Sequence, residues 1–377
     1  MAYQVVRYRH ELKPEVLALL AHAWGGDAER NARTFVWKFE RNPYLGRPLL
    51  HLVTSNGRPV AVRALHGAHW LEGTEGTPLS ALCVGDLAID PAHRGRHLFG
   101  RLMAAAALEA RELGYRHLIS LSAGPAARLQ SLRTGWRNLG AIATLQRSSL
   151  AARVRRLAHD AALKRPALAP LASEARQRSW LRSALGIRSA AHRFRRLDRV
   201  IGRAGAARGL ALTSSAQPLP GPMAELCRSS TTDSRVRHDR GPDYLAWRFL
   251  NPLSHYRFVL CGTDRLDGMV VLETPDDVER DRVRIVLCEA RSDGLRDRLL
   301  NAVIEAGRFP DLRLWDDPMP FGHADVLSRA GFRANLAASP RHQPSLLLYD
   351  LEDARAGASG LPDIAGWRLS MIDSDKC

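Results

Sequence analysis

Arg94-Gly-Arg-His-Leu-Phe-Gly100 places two arginines, a histidine and two glycines within one short turn. Before it runs Asp86-Leu-Ala-Ile-Asp-Pro91. Leu82, Val84, Leu87 and Ile89 form an apolar stretch that Pro91 ends. After it, Leu98 to Leu113 carry a helical pattern, and Gly114 stands in the C-cap position. The order is strand, basic turn, helix. The first amides of a helix lack partners within it, and the helix dipole adds positive potential there. Flanked by Arg94 and Arg96, such a turn is a cradle for an anion, and a pyrophosphate is its natural guest.

The run resembles the acyl-CoA-binding motif of the GNAT superfamily of N-acyltransferases. There a strand ending in Leu-x-Val-x-Pro meets Arg/Gln-x-x-Gly-x-Gly/Ala. Arg94 to Phe99 is the matching segment, with His97 at the first motif glycine and Phe99 at the second. The resemblance implies acetyl-CoA or another acyl-CoA as co-substrate, an amine-bearing acceptor and no metal. Backbone groups of Leu87, Ala88 and Ile89 would pair with the pantetheine arm and aim a donor at the oxyanion. Arg94, Gly95, Arg96, His97, Leu98, Phe99 and Gly100 would hold the pyrophosphate. Asp86, just before the backbone contacts, is the candidate base for the incoming ammonium; the alternative is a capping carboxylate or one paired with an arginine. His66 and His69, on the preceding strand, could line the acceptor side. In this family a tyrosine four positions before a Gly-Phe/Trp pair often protonates the departing thiolate. Ser131 holds that position before Gly135-Trp136, so a water serves or the thiolate leaves unassisted.

The elements that position these residues occur twice. Phe35-Val-Trp-Lys-Phe-Glu-Arg-Asn-Pro43 recurs as Tyr244-Leu-Ala-Trp-Arg-Phe-Leu-Asn-Pro252. Each copy continues into a hairpin pattern, at Gly57 and at Gly268. Arg101 and Arg298 sit in matching helices, and Gly135-Trp136 and Gly331-Phe332 follow them at 34 and 33 residues. The spacing reads as a tandem duplication. The copies differ at the turn: Arg101 follows Ile89 by twelve positions, and Arg298 follows Ala290 by eight. The second turn has lost Arg-Gly-Arg and gained acids, so pyrophosphate binding is expected in the first copy alone.

The 377 residues are 45% apolar, enough for two or three cores. No apolar run reaches about 18 residues, the length of a membrane span. The N-terminus lacks an apolar signal region, and the five cysteines are scattered without C-x-x-C spacing. A reducing cytoplasm is the expectation, with no metal or disulfide framework. The net charge is +16, almost all of it from arginine, as in a GC-rich bacterial genome. Residues 151–215 carry +12 of it, from fourteen Arg and one Lys against three acids. Leu150, Val154, Leu157 and Ala161 fall at helical spacing, as do Phe194, Leu197 and Ile201. A solvated interdomain helix pair, a contact for an acidic partner or a membrane surface, and a nucleic-acid patch compete for this segment; no zinc-finger or RNP-like signature favours the last.

The expected fold is α/β (α+β), with two GNAT-like domains of mixed twisted sheet flanked by helices. The expected divisions are an acyl-CoA-binding domain at 1–150, a basic helical linker at 151–215 and a degenerate second domain at 216–377. The leading function is N-acyl transfer from acyl-CoA to an amine, with acetyl as the first acyl group to consider. A Fem-type aminoacyl-tRNA-dependent transferase, with the arginine-rich insert gripping tRNA, and a non-catalytic acyl-CoA-binding protein are the alternatives. Retention of the CoA turn argues against the Fem type.

Overall fold

The computed structural model describes residues 2–25, 27–150, 190–230, 234–275, 282–315, 327–334, 343–352 and 360–374. Most of the basic segment, 151–189, lies outside the described residues, and with it the helical reading of Val154, Leu157 and Ala161.

The first half begins with β1 (Tyr3–Arg7), α1 (Lys13–Trp24) and α2 (Ala28–Phe35). The Asp27 side chain caps α2 by accepting from the amides of Glu29 and Arg30. A π-helical turn, Val36–Glu40, continues directly from it. The hairpin of β2 (Leu49–Ser55) and β3 (Arg58–Gly67) turns on Asn56 and Gly57, both with positive φ, as a two-residue turn between right-twisted strands requires. Then come β4 (Trp70–Glu72), β5 (Thr77–Leu79), β6 (Ala81–Ile89), α3 (Leu98–Glu112), β7 (His117–Ser120), α4 (Pro125–Arg133), β8 (Arg137–Ala141) and β9 (Thr144–Ser148).

The second half runs α5 (Ala190–Ala206), β10 (Leu212–Ser215), α6 (Pro220–Ser229), β11 (Val236–His238), α7 (Pro242–Arg248), β12 (Ser254–Cys261), β13 (Gly268–Pro275), β14 (Arg282–Ala290), α8 (Asp293–Gly307), β15 (Asp311–Trp315), β16 (Arg333–Ala334), β17 (Ser345–Asp350) and β18 (Trp367–Arg368). Phe194, Leu197 and Ile201 of α5 are buried against α8 and the second sheet, as their spacing predicts. Residues 190–215 thus supply a packed helix and an edge strand rather than a solvated connection. The β12–β13 loop spans 262–267, so Gly268 opens the strand instead of centring a turn.

The two main sheets have the same plan. The first is ordered β1-β2-β3-β6-β7-β17-β8, the second β10-β12-β13-β14-β15-β9-β16. In each, the fourth and fifth strands are parallel and every other neighbour is antiparallel. The sixth strand of each sheet comes from the other half of the chain: β17 lies between β7 and β8, and β9 between β15 and β16. The halves exchange strands across the divisions at 150 and 216. A third, small sheet, β18-β11-β4-β5, ties them further. One apolar core accordingly contains Trp70, Ile119, Phe258, Val271, Leu346 and Trp367, drawn from both halves.

Candidate active site

On β6 the register against β3 slips. Arg63 faces Leu87 and Leu65 faces Val84, so Gly85 and Asp86 together oppose Ala64. This is a β-bulge, which bends the strand. Pairing of β6 with β7 covers only Ala81–Cys83 against His117–Ile119. Beyond the bulge β6 continues to Ile89, while β7 ends at Ser120. The two strands part, and the gap holds a cavity of about 530 Å³. Gly85, Asp86 and Leu87 line one side, Ser120, Ser122 and Ser131 another, and Arg30, Thr34, Trp37 and Lys38 a third. A second cavity, of about 270 Å³, follows Leu87, Ala88 and Ile89 outward to Arg94. Both cavities touch Ala23 and Leu87. Space therefore flanks the strand from the basic turn to Asp86.

The turn is built by short-range rules. Asp90 caps a single 3-10 turn, Pro91–His93, by accepting from the Ala92 amide at 2.8 Å. Gly95 and His97 both take positive φ, at 75° and 56°. His97 is the N-cap of α3, with its side chain making no capping bond. The left-handed conformation explains why a glycine suits this position, and an L-residue adopts it at a cost of about 1–2 kcal/mol. Leu98 and Phe99 turn inward to the core. Phe99 packs its ring beneath the Arg63 guanidinium, 5.9 Å away. Arg94, Gly95, Arg96, His97 and Gly100 are exposed, and nothing crowds the positions of Gly95 and Gly100.

Asp86 accepts from Lys38 Nζ at 2.7 Å and from Trp24 Nε1 at 2.9 Å. Its ion-pair partner is thus a lysine, where an arginine was the expected alternative. Lys38 arrives through the π-turn. The first copy has one residue more than the second between Trp and Asn-Pro: five positions from Trp37 to Asn42, four from Trp247 to Asn251. The extra residue is taken up by the Arg41 amide bonding back to the Val36 carbonyl at 2.9 Å, five residues away. The corresponding Arg248 instead donates to the carbonyls of Ile372 and Ser374.

Ser131 is buried and lines the same cavity as Asp86. Its carbonyl accepts from the Trp136 amide at 3.2 Å, which ties α4 to β8. His66 and His69 are not among the lining residues. His66 borders a separate cavity of about 20 Å³ with His238 and Tyr244, and His69 packs on Tyr44 with ring centroids 3.9 Å apart. Lys38, Trp24, Arg30 and Arg63 carry no mark of the site in the motif itself. The one-residue insertion beside Lys38 was the available signal for it; nothing in the pattern marks the other three. Among the described residues, no group of three His, Cys, Asp or Glu is placed to hold a metal ion, and no helix is long and apolar enough to cross a membrane.

The second sheet parts in the same place. Val286 bulges between Ile285 and Leu287, and β14 pairs with β15 only over Arg282–Arg284. The space there is only about 80 Å³. Arg368, Leu369, Ser370 and Met371 of the C-terminal segment wall it in. Glu289 pairs with Arg240 at 2.8 Å and with Arg368 at 2.5 Å, and Arg240 also holds Asp373 at 2.7 Å. Burial alone would raise the Asp373 carboxyl; the Arg240 guanidinium outweighs it and holds the group below its ordinary value. The turn after β14 is short. Ser292 caps α8, and Asp293 in its first turn already occupies the favourable end of the dipole.

No protein-family model matches the chain, and no curated protein sequence matches it. Solved structures do. A GCN5-related N-acetyltransferase from Kribbella flavida aligns over 93% of this chain and 72% of its own, at 14% identity and a TM-score of 0.59. Another from Anabaena variabilis aligns over 93% and 73%, at 12% identity and a TM-score of 0.60. A tandem GNAT protein of the clavulanic acid biosynthesis pathway aligns over 93% of this chain and 99% of its own, at 14% identity and a TM-score of 0.53. The fold is that of the GCN5-related N-acetyltransferases, built twice in one chain.

Proposed function

We propose that the first unit is an acyl-CoA-dependent N-acyltransferase and that the second is a degenerate copy which binds no CoA. The observation that carries this reading is the parting of β6 from β7, with about 530 Å³ of space at the break and a basic helix-start turn at the outer end of the same strand. The pantetheine arm would run along Leu87, Ala88 and Ile89, using strand groups that β7 leaves unpaired beyond Ile119. The pyrophosphate would meet the amides at the start of α3, with Arg94 and Arg96 beside them. The thioester would then lie near Leu87, between Asp86 and Ser131.

In this reading the acceptor's ammonium loses a proton to Asp86, whose carboxylate Lys38 and Trp24 fix in place. The free amine attacks the thioester carbonyl while a strand amide supports the oxyanion; the C–S bond then breaks, CoA leaves as a thiolate, and the extra proton on the attacking nitrogen passes to water. Ser131 faces that departure. A serine is a poor acid, so the thiolate leaves unassisted or takes its proton from water. The test is release of free CoA thiol from acetyl-CoA by the full chain in the presence of amines. Binding of acetyl-CoA without any amine-dependent thiol release would mark the non-catalytic alternative.

A further inference from the structure

The lining of the larger cavity is electrically unbalanced. Arg30, Lys38 and Arg63 face Asp86, three cations against one carboxylate. Lys38 and Asp86 pair with each other at 2.7 Å. Arg30 is different. Among the described residues it has no ion-pair partner, and its Nε is buried without a hydrogen bond. Glu29, the adjacent acid, lies against Arg33 at 3.9 Å, and Asp27 is occupied in capping α2, where it accepts the backbone amides of Glu29 and Arg30. A buried donor left unmade is costly, and for a charged group the cost is larger. A guanidinium presents a planar fork matched to a carboxylate.

The phosphates of CoA do not account for this charge. The basic turn reaches the smaller outer cavity through Arg94, while Arg30 lines the inner one beyond Leu87. Arg30 comes from α2 together with Asn31 and Thr34, on a wall separate from the strand expected to hold pantetheine. We infer that Arg30 binds a carboxylate of the acceptor, so that the amine acylated here belongs to an amino-acid-like molecule carrying its own carboxylate. The inference rests on the acyltransferase reading above.

Binding and turnover test it separately. The full chain with CoA is titrated calorimetrically with N-acetylated amino acids and with the matching N-acetylated amino-acid amides. The acids are expected to bind roughly tenfold or more tightly, since a site built to pair a group rejects the analogue lacking it. Arg30→Gln should collapse the ratio between acid and amide, and Arg30→Lys should restore part of it. The same ratio should appear in kcat/KM when acetyl-CoA is offered with amino acids and their amides. Equal affinity of acids and amides, no binding of either, or an unchanged ratio in a folded Arg30→Gln variant would overturn the inference. So would a discrimination that lies in the acyl group, with Arg30→Gln altering the preference for succinyl-CoA over acetyl-CoA and leaving the acceptor ratio alone. Failure of the acyltransferase reading looks different: the acids bind preferentially, yet no amine releases CoA thiol.

Discussion

Trp37 and Trp247 stand in a reciprocal relationship. Their rings stack at 5.1 Å with planes 12° apart, and each indole N–H donates to the other's backbone carbonyl, at 2.9 and 2.7 Å. They are the same residue of the repeated motif, so the two copies meet through their own equivalent positions. Replacing Trp247 by Phe removes one of the two hydrogen bonds and keeps an aromatic face. The expected loss is about 1–2 kcal/mol of unfolding free energy in urea titration. Trp37→Phe should cost a similar amount. The double variant should lose less than the two losses combined, because each single change already weakens the shared stack.

Asp86→Asn is expected to lower turnover by about 10²-fold or more with acetyl-CoA affinity nearly unchanged. It also leaves the buried Lys38 ammonium without its carboxylate, at a cost of about 3 kcal/mol. Lys38→Met combined with Asp86→Asn should recover most of that stability. If the double variant regains stability and activity together, Asp86 is a structural carboxylate and not the base.

The turn offers a third measurement. Arg94→Ala and Arg96→Ala should each weaken CoA binding by about 1 kcal/mol, the lower end for charge-assisted contacts at exposed side chains. His97→Gly should leave affinity intact and keep or raise Tm, because it relieves a left-handed L-residue. His97→Val should lower both. A large loss of affinity in His97→Gly would mean that the imidazole itself holds the ligand.

Calorimetry on the full chain should return one CoA per chain. The second cleft holds about 80 Å³ against about 530 Å³ in the first, and Asp293 stands where a phosphate would approach. Two equivalents would refute the one-site reading.

His238 makes stability depend on pH. Burial holds its imidazole at about 3, below the ordinary 6.5. The unfolded chain therefore takes up the proton first as the pH falls. The stability this group supports is complete above about pH 6.5 and is lost as the pH drops toward 3, by at most about 1.4 kcal/mol per pH unit. His51 is lowered as well, burial outweighing the pull of Glu109, and adds to the loss that begins below about pH 6.5. His238→Leu should flatten the decline in Tm between pH 7 and 5 without abolishing it. An unchanged slope would show that His238 is not responsible.

Much of this architecture is legible in the chain. The Trp and Asn-Pro landmarks mark the duplication because they anchor helices and turns locally, and the Asn56-Gly57 hairpin follows from the backbone freedom of its two turn residues. The basic turn is readable because strand, cap and helix start are all local signals. The strand partners are not. Ser345–Asp350 reads as an apolar strand, but nothing in its pattern says that it lies between β7 and β8. Arg30 and Arg63 reach the cavity only through tertiary packing. Lys38 is half visible: it occupies a basic position common to both copies, and the single inserted residue that reshapes its helix passes unnoticed when the motifs are matched by residue type.

The exchange of β9 and β17 also sets an order of events at the ribosome. The first sheet cannot close until Ser345–Asp350 has been synthesised, because that strand is the only bridge from β7 to β8 among the described residues. Of the two main sheets, the one that begins first and carries the candidate site is therefore the one completed last. During synthesis its parted edge waits with unpaired strand groups, the condition in which chains associate wrongly. A nonsense or frameshift product ending before Ser345 would therefore lack an interior strand of the sheet that its own sequence otherwise supplies.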